Sequence, residues 1–208
     1  MTDANQHELA HRMAELARTV AGPRSVDEVL TEVSAEAKDL IAGVDAAGVL
    51  LIGKGGRFQS VGGTSDLPQR LDELQMRYHE GPCVEAAVDE LIVRSDDLRT
   101  ERRWPMYSAA AAALGVRSAL SFKLYTSSQT AGALNLFALE PGAFDAEAET
   151  IGAVLAAHAA ALAKGAAASP QVIRTTKRMA EGGHDGNITF TGKLRLKDVL
   201  YALEMADK

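Results

Sequence analysis

Two short segments constrain the fold of this chain more than any other feature. Residues 116–140 contain two strand-like runs, "VRSALSFKLY" and "AGALNLFALE", separated by the polar turn "TSSQT". Residues 47–62 contain a second pair, "AGVLLI" and "RFQSVG", joined by the glycine turn "GKGGR". Connections this short join antiparallel neighbours, because a parallel crossover needs a dozen or more residues. Between and around these pairs the period becomes helical. Val26, Val29, Leu30, Val33, Ala37, Leu40 and Ile41 follow helical spacing after "SVDE", where Ser25 and Glu28 form a capping box. Leu67, Leu71, Leu74 and Tyr78 share one face of another helix, and helical patterning returns from Pro82. "DELIVRSDD" is a strand candidate centred on Leu91 to Val93. Pro105 to Leu114 reads as an alanine-rich helix closed by Gly115, and a long helix follows "PGAFD", with acids in its first turns and Lys164 near its end. The predicted order is helix, helix, hairpin, helices, strand, helix, hairpin, helix, with no βαβ unit. It implies an α+β fold: a central antiparallel β-sheet flanked by helices, with N- and C-terminal helices available for a dimer bundle.

Composition limits the function classes. A chain of 208 residues buries enough core to fold without a disulfide or metal. Its longest apolar run, residues 151–163, is short of the roughly 20 residues that span a bilayer, so no membrane segment is expected. The start "MTDANQHELAHR" lacks the features of a signal peptide and Cys83 is unpaired, which predicts a cytoplasmic location. A formal net charge of -6 argues against a broad nucleic-acid-binding surface.

Several motifs together resemble a known family. "EGPC", the Asp97 to Pro105 segment with its "RWP", "GVRSALSFKL", "GALNLF" and "PGAFD" occur in the order seen in the GAF sensory domain of actinobacterial GAF-ANTAR transcription antitermination regulators. The resemblance covers about residues 5–164 and implies a six-stranded antiparallel sheet and a homodimer bundled through the terminal helices. It divides the chain into a GAF domain with N-terminal helices, residues 1–164, and a C-terminal extension, residues 165–208. The first helix fits that implication, since Leu9, Met13, Leu16 and Val20 make a narrow seam in need of a partner. The extension departs from the family: it lacks an ANTAR-like "AKGILM" stretch and is short for a three-helix RNA-binding unit. It reads as a helix from Pro170 to Ala180, a glycine-rich linker, a strand at Ile188 to Thr191 and a final amphipathic helix. Seven basic and five acidic residues give it +2, leaving -8 for the rest. That asymmetry permits RNA or another acidic partner, but solvated helix faces account for it better.

Individual chemical motifs carry less. "HELAH", His7 to His11, has the zinc-protease spacing, yet it lies at the N-terminus without a third-ligand motif, on a helix whose packing face is already assigned. Cys83 follows Gly81-Pro82 in a first helical turn, where the dipole lowers a thiol pKa; Glu80 and Glu85 oppose this, and packing is the favoured role. The methionine sulfoxide reductases that share the GAF fold use several cysteines, and this chain has one. Bilin attachment would show a Cys-His pair, and the cyclic-nucleotide constellation does not correspond. His79, His158 and His184 are lone histidines, so no haem, no other cofactor and no metal are expected. Trp104 and Tyr107 beside Arg102 and Arg103 form the densest aromatic and cationic group; the favoured role is a loop anchor whose arginines pair with Asp96, Asp97 or Glu101.

The resulting expectation is a non-enzymatic GAF-type sensory domain that dimerises and binds a small molecule or partner, in signal transduction or transcription regulation. Its ligand pocket is expected between sheet and loops, at Phe58, Cys83, Trp104, Tyr107, Ser121 and Asn135. The alternative is an RNA-binding antiterminator with a diverged C-terminal output segment.

Overall fold

The computed structural model describes residues 25–53, 57–88, 91–127 and 130–167. The "HELAH" helix and the elements expected after residue 167 lie outside them. Helix α1, Val26–Leu40, begins at the expected capping box: Glu28 N donates to Ser25 Oγ (3.2 Å) and Ser25 N to Glu28 Oε2 (2.8 Å). The first hairpin follows, β1 at Ala46–Gly53 and β2 at Arg57–Val61. Helices α2, Asp66–Tyr78, and α3, Pro82–Val88, precede the short strand β3, Ile92–Ser95. Helix α4, Pro105–Ala113, leads into the second hairpin, β4 at Ser118–Ser127 and β5 at Thr130–Ala138, and the described chain ends in α5, Ala146–Ala167.

The strands form one antiparallel sheet in the order β2-β1-β5-β4-β3, so each predicted hairpin is a neighbouring pair and the hairpins meet along β1 and β5. The α+β class is as expected. The resemblance implied six strands; the described residues make five.

Side chains alternate across the sheet, and each face carries its own core. Leu120, Phe122, Leu124, Leu134 and Leu136 face α1 and α5 in one layer. Leu50, Ala119, Ala133 and Phe137 face the other way, where α2, α3 and α4 supply Leu71, Cys83 and Tyr107, and Trp104 comes from the N-cap of α4. Each fully buried leucine or phenylalanine contributes about 1.5–3 kcal/mol through area removed from water.

Helix α2 departs from the expected seam. Its buried residues are Pro68, Leu71, Asp72 and Gln75, while Leu67, Leu74 and Tyr78 are half-buried. The spacing is helical, but the helix is rotated about its axis so that a carboxyl and an amide point inward. Close approach is allowed by Gly48 on β1, where a Cβ would lie 2.8 Å from Pro68 Cβ.

Candidate functional site

The sheet supplies the floor of the site. Ser121 on β4 and Asn135 on β5 are paired in register and share the face of Ala119, Ala133 and Phe137. Both are fully buried, and Ser121 Oγ donates to Asn135 Oδ1 at 2.8 Å. With Oδ1 so engaged, the Asn135 amide turns Nδ2 toward α2, where it donates to Asp72 Oδ1 at 3.5 Å. Gln75, one turn further along α2, donates to the same oxygen at 3.4 Å. These bonds are long and correspondingly weak.

Gln75 also fixes the next element. Its Oε1 accepts from Cys83 N at 2.9 Å, in the first turn of α3, where backbone donors lack helical partners. Gly81 makes this possible: its φ of 133° lies where side chains are strained, and a Cβ would run into the Gln75 side chain. The "EGPC" stretch is therefore a turn that seats α3 on α2. Glu80, from the same stretch, accepts from Met106 N (2.9 Å) and Tyr107 N (3.2 Å), capping α4 and placing Tyr107.

Of the expected residues, Cys83, Tyr107, Ser121 and Asn135 are fully buried on this one face and Trp104 is nearly so, while Phe58 on edge strand β2 is partly buried against the same core. Trp104 and Tyr107 meet edge-on, with centroids 6.4 Å apart. Trp104 Nε1 donates to Glu85 Oε2 (2.9 Å) and Arg103 lies 4.3 Å over its ring. Arg103 is also bonded to Glu101 (2.7 Å) and to the Arg94 carbonyl (2.6 Å), and Arg99 pairs with Asp97 and Arg94 with Asp96. These arginines are occupied on the surface rather than turned toward a ligand.

Electrostatics distinguish the interior from this rim. Burial is the main cause that pushes the Asp72 carboxyl up to about 7, helped by the charge of Glu73 and opposed by bonds from Ser60 and Gln75. Asp72 Oδ2 has no hydrogen bond of good geometry, nor do the Tyr107 hydroxyl and Ser108 Oγ. Burial first, then the Asp72 charge, pushes the Cys83 thiol well above its ordinary value, outweighing the helix-start effect. Such a thiol stays protonated and is a poor nucleophile. At the rim the opposite holds: hydrogen bonds from Arg99 and Arg103 pull Asp97 and Glu101 down to about 2.

Asp72 and Gln75 were not among the residues expected from sequence. The available signal was their spacing from Pro68 and Leu71, but a neighbouring apolar seam on the same helix outcompeted it. Among the described residues, His158 on α5 is half-buried with its pKa lowered by burial, and no three His, Cys, Asp or Glu side chains group as metal ligands. No described helix is long and apolar enough to cross a membrane. A separate groove of about 390 Å³ opens between α2 and α4 at Arg70, Leu74, Arg77 and Leu114 and shares no residue with the buried cluster.

A family model described as "GAF domain" matches residues 23–162. No curated protein matches the chain. Among solved structures, the GAF domain from Acinetobacter phosphoenolpyruvate-protein phosphotransferase is similar, with a TM-score of 0.56 and 17% identity over 81% of this chain and 97% of that one. A free methionine-R-sulfoxide reductase from Neisseria meningitidis, in complex with its substrate, gives 0.55 and 16% over 83% and 95%. The Stigmatella aurantiaca phytochrome photosensory core module gives 0.57 and 13%, over 86% of this chain but 41% of that one. At these identities the structural likeness establishes the fold alone.

Proposed function

The chain belongs to the GAF domain family, and from that premise we propose that it is a non-enzymatic sensory module whose pocket lies between the sheet and helices α2 to α4. The carrying observation is the polar cluster on that face: Asp72, Gln75, Ser121 and Asn135, all buried, with Asp72 Oδ2 and the Tyr107 hydroxyl lacking a hydrogen bond of good geometry. Each buried polar atom left without a partner costs about 1–3 kcal/mol. A core with only a packing role gains nothing from that cost, whereas a pocket uses it to select a ligand. The protonated thiol of Cys83 supports a non-catalytic role. The enzyme among the similar folds handles methionine sulfoxide, a reaction that in its family relies on several cysteines, and this chain has one.

In this reading the protein works as a homodimer through its terminal helices. Occupancy of the pocket shifts α2 and α3, and the change is passed on in signalling or transcription control. Native mass spectrometry of the full chain purified from its own host tests the reading. The expected result is twice the chain mass plus a small molecule that is released on denaturation. A bare monomer would remove both the dimer and the retained ligand.

A further inference from the structure

The groove of about 390 Å³ between α2 and α4 lies on the outer side of the helical layer, apart from the buried polar cluster. Arg70, Glu73, Leu74 and Arg77 line one wall, at the spacings that put side chains on one face of a helix. Ala110 and Leu114 line the other, and both leucines rest on the core beneath, so the floor is apolar. Helix α4 contains no charged residue, and Met106, one turn before Ala110, is 56% exposed. A helix without a polar face is ordinarily covered. Glu80, just beyond α2, bonds Met106 N, so the Arg77 end of the groove is the end nearer Met106.

The two arginines are free to bind. Glu73 stands between them at spacings where helical ion pairs form, yet it accepts instead from Gln69 Nε2 at 3.3 Å. Among the described residues neither Arg70 nor Arg77 has an ion pair or a side-chain hydrogen bond, whereas Arg94, Arg99 and Arg103 are each paired with an acid. Their positions are about 10.5 Å apart along the helix axis, or about two turns. A chain with a net charge of -6 thus sets two unpaired cations at the ends of an apolar floor.

We propose that this groove docks an amphipathic helix of a partner protein, which lays apolar side chains on Leu74 and Leu114 and carries an acidic residue for each of Arg70 and Arg77. Glu73, midway, repels a third acid and so fixes the register. A small anion would meet one arginine and leave Met106 uncovered, whereas a helix lying along the groove meets both and continues over it.

Fluorescence anisotropy on the full chain tests this with three labelled helical peptides. One has glutamates seven residues apart with leucines between them on the same face; the second has lysines for the glutamates, and the third alanines for the leucines. The first is expected to bind saturably and to weaken with added salt, the alanine peptide to bind about tenfold more weakly, and the lysine peptide not to bind. Arg70→Gln and Arg77→Gln should each weaken the first by roughly two- to fivefold at unchanged Tm. The Arg70→Glu/Arg77→Glu protein should reverse the preference and take the lysine peptide, a gain that damage to the fold would not give. Equal binding of the lysine peptide, no loss in the arginine variants, or no saturation up to about 1 mM overturns the proposal. Sebacate, an apolar chain with a carboxylate at each end, should compete poorly; competition as strong as the unlabelled peptide's would make the groove a small-anion site and overturn the partner class. A fall in oligomer mass on sedimentation of the Arg→Gln variants would assign the face to a second copy of this chain and overturn it equally. None of these results bears on the buried pocket, which stands or falls by its own retained ligand.

Discussion

Replacing Asp72 by asparagine separates the electrostatics of the buried cluster from its shape. The folded state holds the Asp72 proton up to about pH 7, whereas the unfolded chain releases it near 3.8. Between those values the folded protein binds more protons than the unfolded one, so stability falls as pH rises. Below about pH 4 the contribution is fully present; by the folded pKa it is lost. A difference between 3.8 and about 7 converts to roughly 4 kcal/mol, an upper limit because a buried carboxylate relaxes its surroundings as it ionises. Asparagine keeps the volume, accepts from Gln75 and Asn135 through Oδ1, and has no proton to lose. The variant should therefore gain on the wild type with rising pH, by up to about 1.4 kcal/mol per pH unit between roughly pH 4 and 7, with a constant advantage above that. Urea unfolding followed by circular dichroism at half-unit steps from pH 4.5 to 8.5 measures the difference directly. Because both proteins share every other titrating group, including Asp97 and Glu101, the subtraction isolates position 72. A difference that stays flat across the range, or a variant less stable at pH 8, would refute the account of Asp72 as a buried carboxyl short of partners.

Cys83 should resist thiol reagents in the folded protein and react with about one equivalent after denaturation, since it is fully buried and protonated; complete native labelling within seconds would contradict its placement. Gly48→Ala should destabilise by about 1–2 kcal/mol in chemical unfolding, because its Cβ would lie 2.8 Å from that of Pro68 and push α2 off the sheet. A neutral outcome would mean that α2 is not tightly seated. Glu80→Ala should cost about 1 kcal/mol by removing the acceptor for two first-turn donors of α4, and the near-ultraviolet signal of Trp104 and Tyr107 should change with it.

The architecture was legible because it rests on local chemistry. Short turns made two hairpins antiparallel, and the capping box at Ser25 placed the start of α1 to the residue. Pro105 and Gly115 bracketed α4 for the reasons that proline starts helices and glycine ends them. The pairing of β1 with β5, which unites the two hairpins, was not legible. No short-range pattern encodes which strands meet across some 80 residues of intervening chain. β3 shows a milder version of the same limit: the strand was expected around Leu91 to Val93, but it starts at Ile92 and leaves Leu91 exposed, because pairing with β4 sets its register.

The candidate site was legible where a residue's type already implied burial, as with Cys83 and Trp104, and obscure where a polar side chain is buried against the hydrophobic pattern. On α2 a period search follows the leucines, and Leu67, Leu71, Leu74 and Tyr78 form the better apolar stripe. The folded helix instead turns inward the stripe that contains Asp72 and Gln75. That rotation could arise as an incidental cost of seating other side chains, in which case removing the ionisable group at position 72 should relieve a burden that grows as pH rises above about 4, and should leave binding unchanged. It could also reflect a chain that accepts a buried carboxyl because something must be recognised there, in which case the same change should stabilise the empty protein at neutral pH and abolish binding. The two accounts agree on stability and part on binding. A stabilised Asp72→Asn protein that still retains a small molecule in native mass spectrometry would place α2 among accidents of packing, and one that has lost it would make the rotated helix the determinant of specificity.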